Sequence, residues 1–182
     1  MSRYFPHTAY AEDQPLAKTI LTTHVLARSV TTGTAVGGVL FTSRLLYQSI
    51  TKKTAAPSPS TSVRQSGTRA FLRTAGTSTL WTLGIVSVGL VARMWGREDI
   101  EWRDRAWRLL ENQGQLETDD WTCAGMVAGL AASAAVRRPP LGWVGVLGSF
   151  GTGSFVGLLG YMGWRYGVHG GRFPDVKKKD GE

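Results

Sequence analysis

Residues 141–164, LGWVGVLGSFGTGSFVGLLGYMGW, run for 24 positions without a charge, and their small residues fall into register. Ser149, Gly153 and Gly157 stand four apart, one above another on a helix face. A helix in water avoids glycine, which costs about 1 kcal/mol per position relative to alanine. A helix in lipid uses it, because small residues one turn apart let two backbones approach where no hydrophobic effect drives association. The ladder recurs twice: Gly33 and Gly37 continue from Ser29, and Gly125 and Gly129 run on to Ser133. The pattern predicts an all-α membrane protein in which Gly33, Gly37, Gly125, Gly129, Gly153 and Gly157 pack helix against helix.

At 182 residues there is room for one domain, and 23 glycines hold the hydrophobic fraction to 42%. A spanning helix needs roughly 17–25 mostly apolar residues. Residues 74–92 give 19 without a charge, and 121–136 give 16, rich in Ala and Gly. Residues 19–50 are long enough but carry His24, Arg28 and Arg44. Four Gly-rich spans are expected, at about 19–47, 70–95, 119–137 and 141–165, as one transmembrane domain over 19–168. An N-terminal tail (1–18) and a C-terminal tail (169–182) flank it.

The acids support this layout. All 13 lie at Glu12 and Asp13, within 98–120, or within 175–182. Four spans place those three regions on one side, with 12 basic and 13 acidic residues. The other side receives 8 basic residues and no acid. The short, purely basic loops are oriented toward the negative compartment and both termini away from it. Arg44, Lys52, Lys53, Arg69, Arg73, Arg137 and Arg138 then form a face suited to anionic lipid headgroups.

The connecting segments differ in kind. Residues 55–62, AAPSPSTS, read as a flexible or extended linker. The central segment instead offers Asp99–Arg103, Glu101–Arg105 and Asp104–Arg108 at helical spacing. Trp102, Ala106, Leu109 and Leu110 fall near one face, predicting an amphipathic helix between spans 2 and 3. Trp102 and Trp107 suit it to the membrane interface or to a partner.

Catalysis finds little support. The single Cys123 excludes a disulfide framework or a cysteine metal cluster, and its place in the third span suits a small packed residue. His7, His24 and His169 are scattered. Residues 151–157, GTGSFVG, lack the spacing and preceding strand of a dinucleotide loop. Asp119-Asp120, after Thr118, is expected to complement the N-terminus of span 3. Lys177, Lys178 and Lys179 suit a lipid contact or a solvated end, not nucleic acid. The first residues lack the apolar core of a secretory signal, and Glu12 and Asp13 argue against a cleaved presequence, so targeting is expected to be internal. No catalytic, cofactor or metal residues are assigned.

His24 and Arg28 are the intramembrane exception. Four apart, they share a face, and ionisable groups inside a span are functional candidates. A water-facing path lined by His24, Arg28, Ser29 and Thr32 is one reading. The other is that Arg28 reaches a phosphate, a carbonyl or a carboxylate near the membrane surface.

The chain resembles the mitochondrial inner-membrane translocase superfamily, with four Gly-rich spans and both termini in the intermembrane space. The resemblance rests on that layout and on residues 99–129. There Ala124-Gly125 and Gly129 match a small-Gly-three-Gly ending, Glu117 its acidic position and Trp102 its aromatic one; Gln113 and Asp99 depart from the pattern. The missing Arg and the long basic first loop look more like a divergent branch of that superfamily. That branch supplies a non-catalytic accessory subunit to the membrane arm of NADH:ubiquinone oxidoreductase (complex I). The resemblance implies integral-subunit partners and cardiolipin as the anionic lipid; the alternative it leaves open is a preprotein translocase channel component.

Overall fold

The computed structural model describes residues 2–51, 61–135 and 141–172, the side chains of residues 2 and 61–66 excepted. Among the described residues five α-helices follow in order: α1 (Ala17–Thr51), α2 (Thr61–Met94), α3 (Asp99–Glu111), α4 (Gln113–Ala135) and α5 (Gly142–Met162). A π-helical turn, Gly163–Val168, extends α5. No strand occurs among the described residues, so the chain is all-α.

Close approaches fix the arrangement. A Cβ built on Gly33 would lie 2.6 Å from the Thr79 Cα, and one on Gly37 2.7 Å from the Ala75 Cα, so α1 and α2 run antiparallel. A Cβ on Gly125 would strike the Gly153 carbonyl, and one on Gly129 the Ser149 carbonyl, so α4 and α5 also run antiparallel. The two hairpins join through α2 and α5, parallel to each other: Gly148 meets Gly76, and three residues on along both helices Gly151 meets Thr79. Gly151 of α5 abuts Thr34 of α1. Helices α1 and α4 hardly approach along their lengths.

The interior is built from backbone and hydroxyls. Thr34, Thr79 and Ser154 are fully or almost fully buried. Thr31 meets Ser154 at 2.6 Å and Thr34 meets Thr79 at 3.2 Å, across helices. Most other hydroxyls bond back to their own helix, Ser29 to the Leu26 carbonyl and Ser149 to that of Gly145. Bulky apolar side chains face outward instead: Val39, Leu46 and Ile50 on α1, Trp81, Ile85 and Val88 on α2, Val127 and Leu130 on α4, Val156 and Leu159 on α5. Exposed tryptophans sit at both ends, Trp143 (70% exposed) opening α5 and Trp95 (80%) just past α2.

Among the described residues two helical stretches, Gly67–Met94 and Gly142–Val168, are long and apolar enough to cross a membrane by length and composition; four were expected from the sequence. Helix α1 carries His24, Arg28 and Arg44 among many threonines, and α4 carries Glu117, Asp119 and Asp120. Helix α4 also begins earlier than the expected residue 119. Asn112 caps it, its Oδ1 accepting the Gln115 N–H at 3.2 Å. The same Asn112 closes α3 by donating its N–H to the Leu109 carbonyl.

The amphipathic helix α3 docks on its own chain. Ala106 and Leu110 are buried with Ala17 and Ile20 of α1, and Phe5, Trp102, Leu109 and Leu116 pack around them. Of the segment expected as a tail, residues 5–18 lie along α3, and Arg3 reaches α4. Trp107 Nε1 donates to the Thr8 carbonyl at 2.9 Å and its ring stacks on His7; Arg103 donates to the Glu12 carbonyl. Trp102 and Trp107, expected to dock on a partner, are thus engaged within the chain. Of the three expected ion pairs on α3, Asp99–Arg103 and Asp104–Arg108 form, whereas Glu101 takes Arg97 at 3.1 Å instead of Arg105.

Candidate functional site

The charges of α1 and α4 converge where these two helices come nearest. Gln115 and Asp119 are one turn apart on α4, as are His24 and Arg28 on α1. Asp119, 4% exposed, accepts from both partners: its Oδ2 lies 3.0 Å from His24 Nδ1 and its Oδ1 2.9 Å from Arg28 Nη2. Arg28 also donates to Gln115 Oε1 at 2.9 Å. Two positions before Asp119, Glu117 points elsewhere and meets the buried Arg165 of the π-helical turn at 3.5 Å. Asp120 meets Arg3 at 2.5 Å.

The three acids of α4 therefore each hold a cation from a different segment: α1, the extension of α5, and the N-terminus. This corrects the expectation that Asp119-Asp120 serve the start of span 3. With the helix starting at Gln113, they sit in its second turn, where side chains face neighbouring segments and not free N–H groups. Among the described residues no buried side-chain nitrogen or oxygen lacks a hydrogen-bond partner.

The cluster is suited to holding charge inside a bundle. A buried carboxylate satisfied by a guanidinium and an imidazole is fixed in position and shielded from reagents. Of the four residues of the water-facing reading, His24 and Arg28 face α4, Ser29 is buried and Thr32 is exposed; Arg28 meets a carboxylate, as the other reading has it. Among the described residues no three His, Cys, Asp or Glu side chains converge as metal ligands. Cys123 is half-buried.

The other expected sites are placed as follows. Gly33 and Gly37 lie at the α1–α2 contact; Gly125, Gly129, Gly153 and Gly157 lie at α4–α5, the last against the Trp121 carbonyl. Sequence reading missed Gly76, Gly148 and Gly151, which make equally close approaches. The recurrence of Gly145, Gly148, Gly151 and Ser154 at intervals of three carried a signal for two of them. Arg44 and Arg73 are exposed and Arg69 is half-buried near one end of the bundle. Lys52, Lys53, Arg137, Arg138 and residues 55–60 of the linker lie outside the described residues, as do Lys177, Lys178 and Lys179 of the C-terminal tail.

At the other end, Lys18 bonds Asp99 at 2.9 Å, and this bond, with the charges of Lys18 and Arg103, holds the Asp99 carboxyl below its ordinary range.

A family profile described as "Protein of unknown function (DUF1757)" matches residues 11–160, covering α1 to α4 and nearly all of α5. The chain belongs to this family. No curated protein and no solved structure matches it.

Proposed function

We propose that this protein is a four-span, non-catalytic accessory subunit of a mitochondrial inner-membrane complex, the membrane arm of NADH:ubiquinone oxidoreductase being the assembly its resemblance implies. One observation carries the four-span part. The interior is glycine backbone, hydroxyls and paired charges, while bulky apolar side chains on all four long helices face out. A water-soluble bundle has the opposite distribution. His24 and Arg28 of α1 and Glu117, Asp119 and Asp120 of α4 interrupt the apolar runs of these helices and are each paired within the chain, while Arg44 is exposed toward the basic end. Trp143 and Trp164, both exposed, are 21 residues apart, about 31 Å along a helix. That spacing matches a hydrocarbon core of about 30 Å between two aromatic belts.

The accessory role follows from what the cluster does. His24, Arg28 and Asp119 are consumed in holding α1 to α4, which favours a packing function over a channel. The basic end, with Arg44, Arg69 and Arg73, and the loops that carry Lys52, Lys53, Arg137 and Arg138 in sequence, would face the matrix leaflet and its cardiolipin, with both termini in the intermembrane space. The test is deletion followed by mild-detergent extraction, native gels and identification of the co-migrating chains. The accessory role predicts loss of an assembled respiratory membrane arm with preprotein import intact. An early import defect with that arm still assembled would replace it with the translocase reading.

A further inference from the structure

A groove lies between α1, α2 and α3, on a face to which the sequence assigned no ligand. Thr22 and Leu26 of α1, Leu90 and Met94 of α2, and Trp95 and Trp102 are among its lining residues, and its volume is about 310 Å³. That is at the lower end of the roughly 300–1,000 Å³ typical of small-molecule sites. Its walls are predominantly apolar, and Trp95 is exposed at its mouth. Lys18 continues the same α1 stripe as Thr22 and Leu26 at four-residue spacing, just as Asp99 and Trp102 share a face of α3. A polar cleft lined by Lys18, Asp99 and Arg103 thus lies about one turn further along the same faces of α1 and α3. Two cations and one carboxylate leave that cleft a net positive charge. Lys18 is exposed and uses one of its three N–H bonds on Asp99, keeping the others for an anion.

We propose that this groove seats one acyl chain of an anionic phospholipid, with its phosphate on Lys18. The apolar depth, the tryptophan at the mouth and the cation at the outer end follow the order of tail, interface and headgroup. The site rests on the reading that α1 and α2 cross the membrane, and its test separates the two claims.

The full chain is placed in phosphatidylcholine nanodiscs containing a trace of phosphatidylglycerol with a photoactivatable diazirine near the end of one acyl chain. Labelled positions are mapped by peptide mass spectrometry, with an equivalent phosphatidylcholine probe as comparison. Labelling of Leu90 and Met94 should exceed that of the outward Ile85 and Val88. The anionic probe should label the groove about fivefold more than the zwitterionic one, the effect of one basic contact at a membrane surface. Lys18→Gln should erase that fivefold preference. Ser87→Phe, which fills the groove, should remove the Leu90 and Met94 labels while Ile85 keeps its own. Equal labelling of Leu90 and Ile85 by both probes would overturn the site and leave the four-span reading standing. Labels absent from both α1 and α2 would overturn both.

Discussion

The α4–α5 contact and the α1–α4 contact solve the same problem with opposite chemistry. Helices α4 and α5 meet backbone to backbone, with Gly125 and Gly129 facing Gly153 and Ser149 so closely that no side chain fits. Helices α1 and α4 hardly approach, and long polar side chains cross the space: Arg28 and His24 from one, Asp119 and Gln115 from the other. The first contact depends on shape alone and tolerates no added volume. The second depends on charge balance and is broken by removing one partner. A bundle without a large apolar core can be held by either, and this one uses both.

The largest effect should come from adding volume to the first contact. Gly153→Leu places a side chain against the Gly125 carbonyl and the Gly129 Cα, which are backbone and cannot swing aside. The expected loss is about 3 kcal/mol or more, at the upper end of overpacking costs. It would be read as a lower unfolding midpoint in detergent and reduced accumulation; an unchanged midpoint would mean the helices can slide apart freely.

Next comes removal of charge from the second contact. Asp119→Ala strands Arg28 and His24 beside a buried position and should cost about 3 kcal/mol, the lower end for a broken buried pair because Arg28 stays partly exposed. Combining Asp119→Leu with Arg28→Met should recover much of that loss, because the penalty is the unpaired charge and not the missing pair. A double variant no better than Asp119→Ala alone would point instead to a specific need for the carboxylate.

Glycines away from both contacts sharpen the comparison. A Cβ on Gly84 or Gly89 meets nothing within 4 Å. Gly84→Ala should therefore stabilise by roughly 0.5–1 kcal/mol through helix propensity, the reverse sign of Gly153→Leu. Destabilisation measured in the isolated chain would contradict the open placement of that face.

The smallest effect is at the surface, on α3. The Asp99 carboxyl lies below its ordinary value of 3.8 because Lys18 and Arg103 favour its charged form. A carboxyl lowered on folding adds stability above its unfolded value and loses it as pH falls through the folded value. Asp99→Asn should thus be slightly less stable than the parent near neutral pH and equal to it in strong acid. Tryptophan fluorescence from Trp102 and Trp107 would report the transition; a constant gap across that range would remove the carboxylate from the account.

What could be read in the sequence follows the same division. Contacts made by repetition are legible, since Gly125, Gly129, Gly153 and Gly157 recur every four residues and lie together in one seam. Contacts made by single residues from distant segments are not. Asp119 and His24 are 95 positions apart, and only the fold brings them within 3.0 Å. The start of α4 was misread because Thr118-Asp119-Asp120 looks like a cap, while the working cap is Asn112, hidden at the end of an ion-paired helix. Trp102 and Trp107 show the same limit: their face was visible, but not that the chain's own first residues would cover it.

The central claim is that α1 and α4 cross the membrane with α2 and α5, despite their charges. The direct measurement is cysteine accessibility in native membranes, on a Cys123→Ser background, at Val36 of α1 and Val127 of α4, both outward-facing. A four-span bundle predicts that neither reacts with a membrane-impermeant maleimide added to both sides until denaturing detergent exposes them, while Lys18→Cys reacts with that reagent in intact membranes. Rapid reaction of Val36→Cys and Val127→Cys with the impermeant reagent would put α1 and α4 in water and contradict the account.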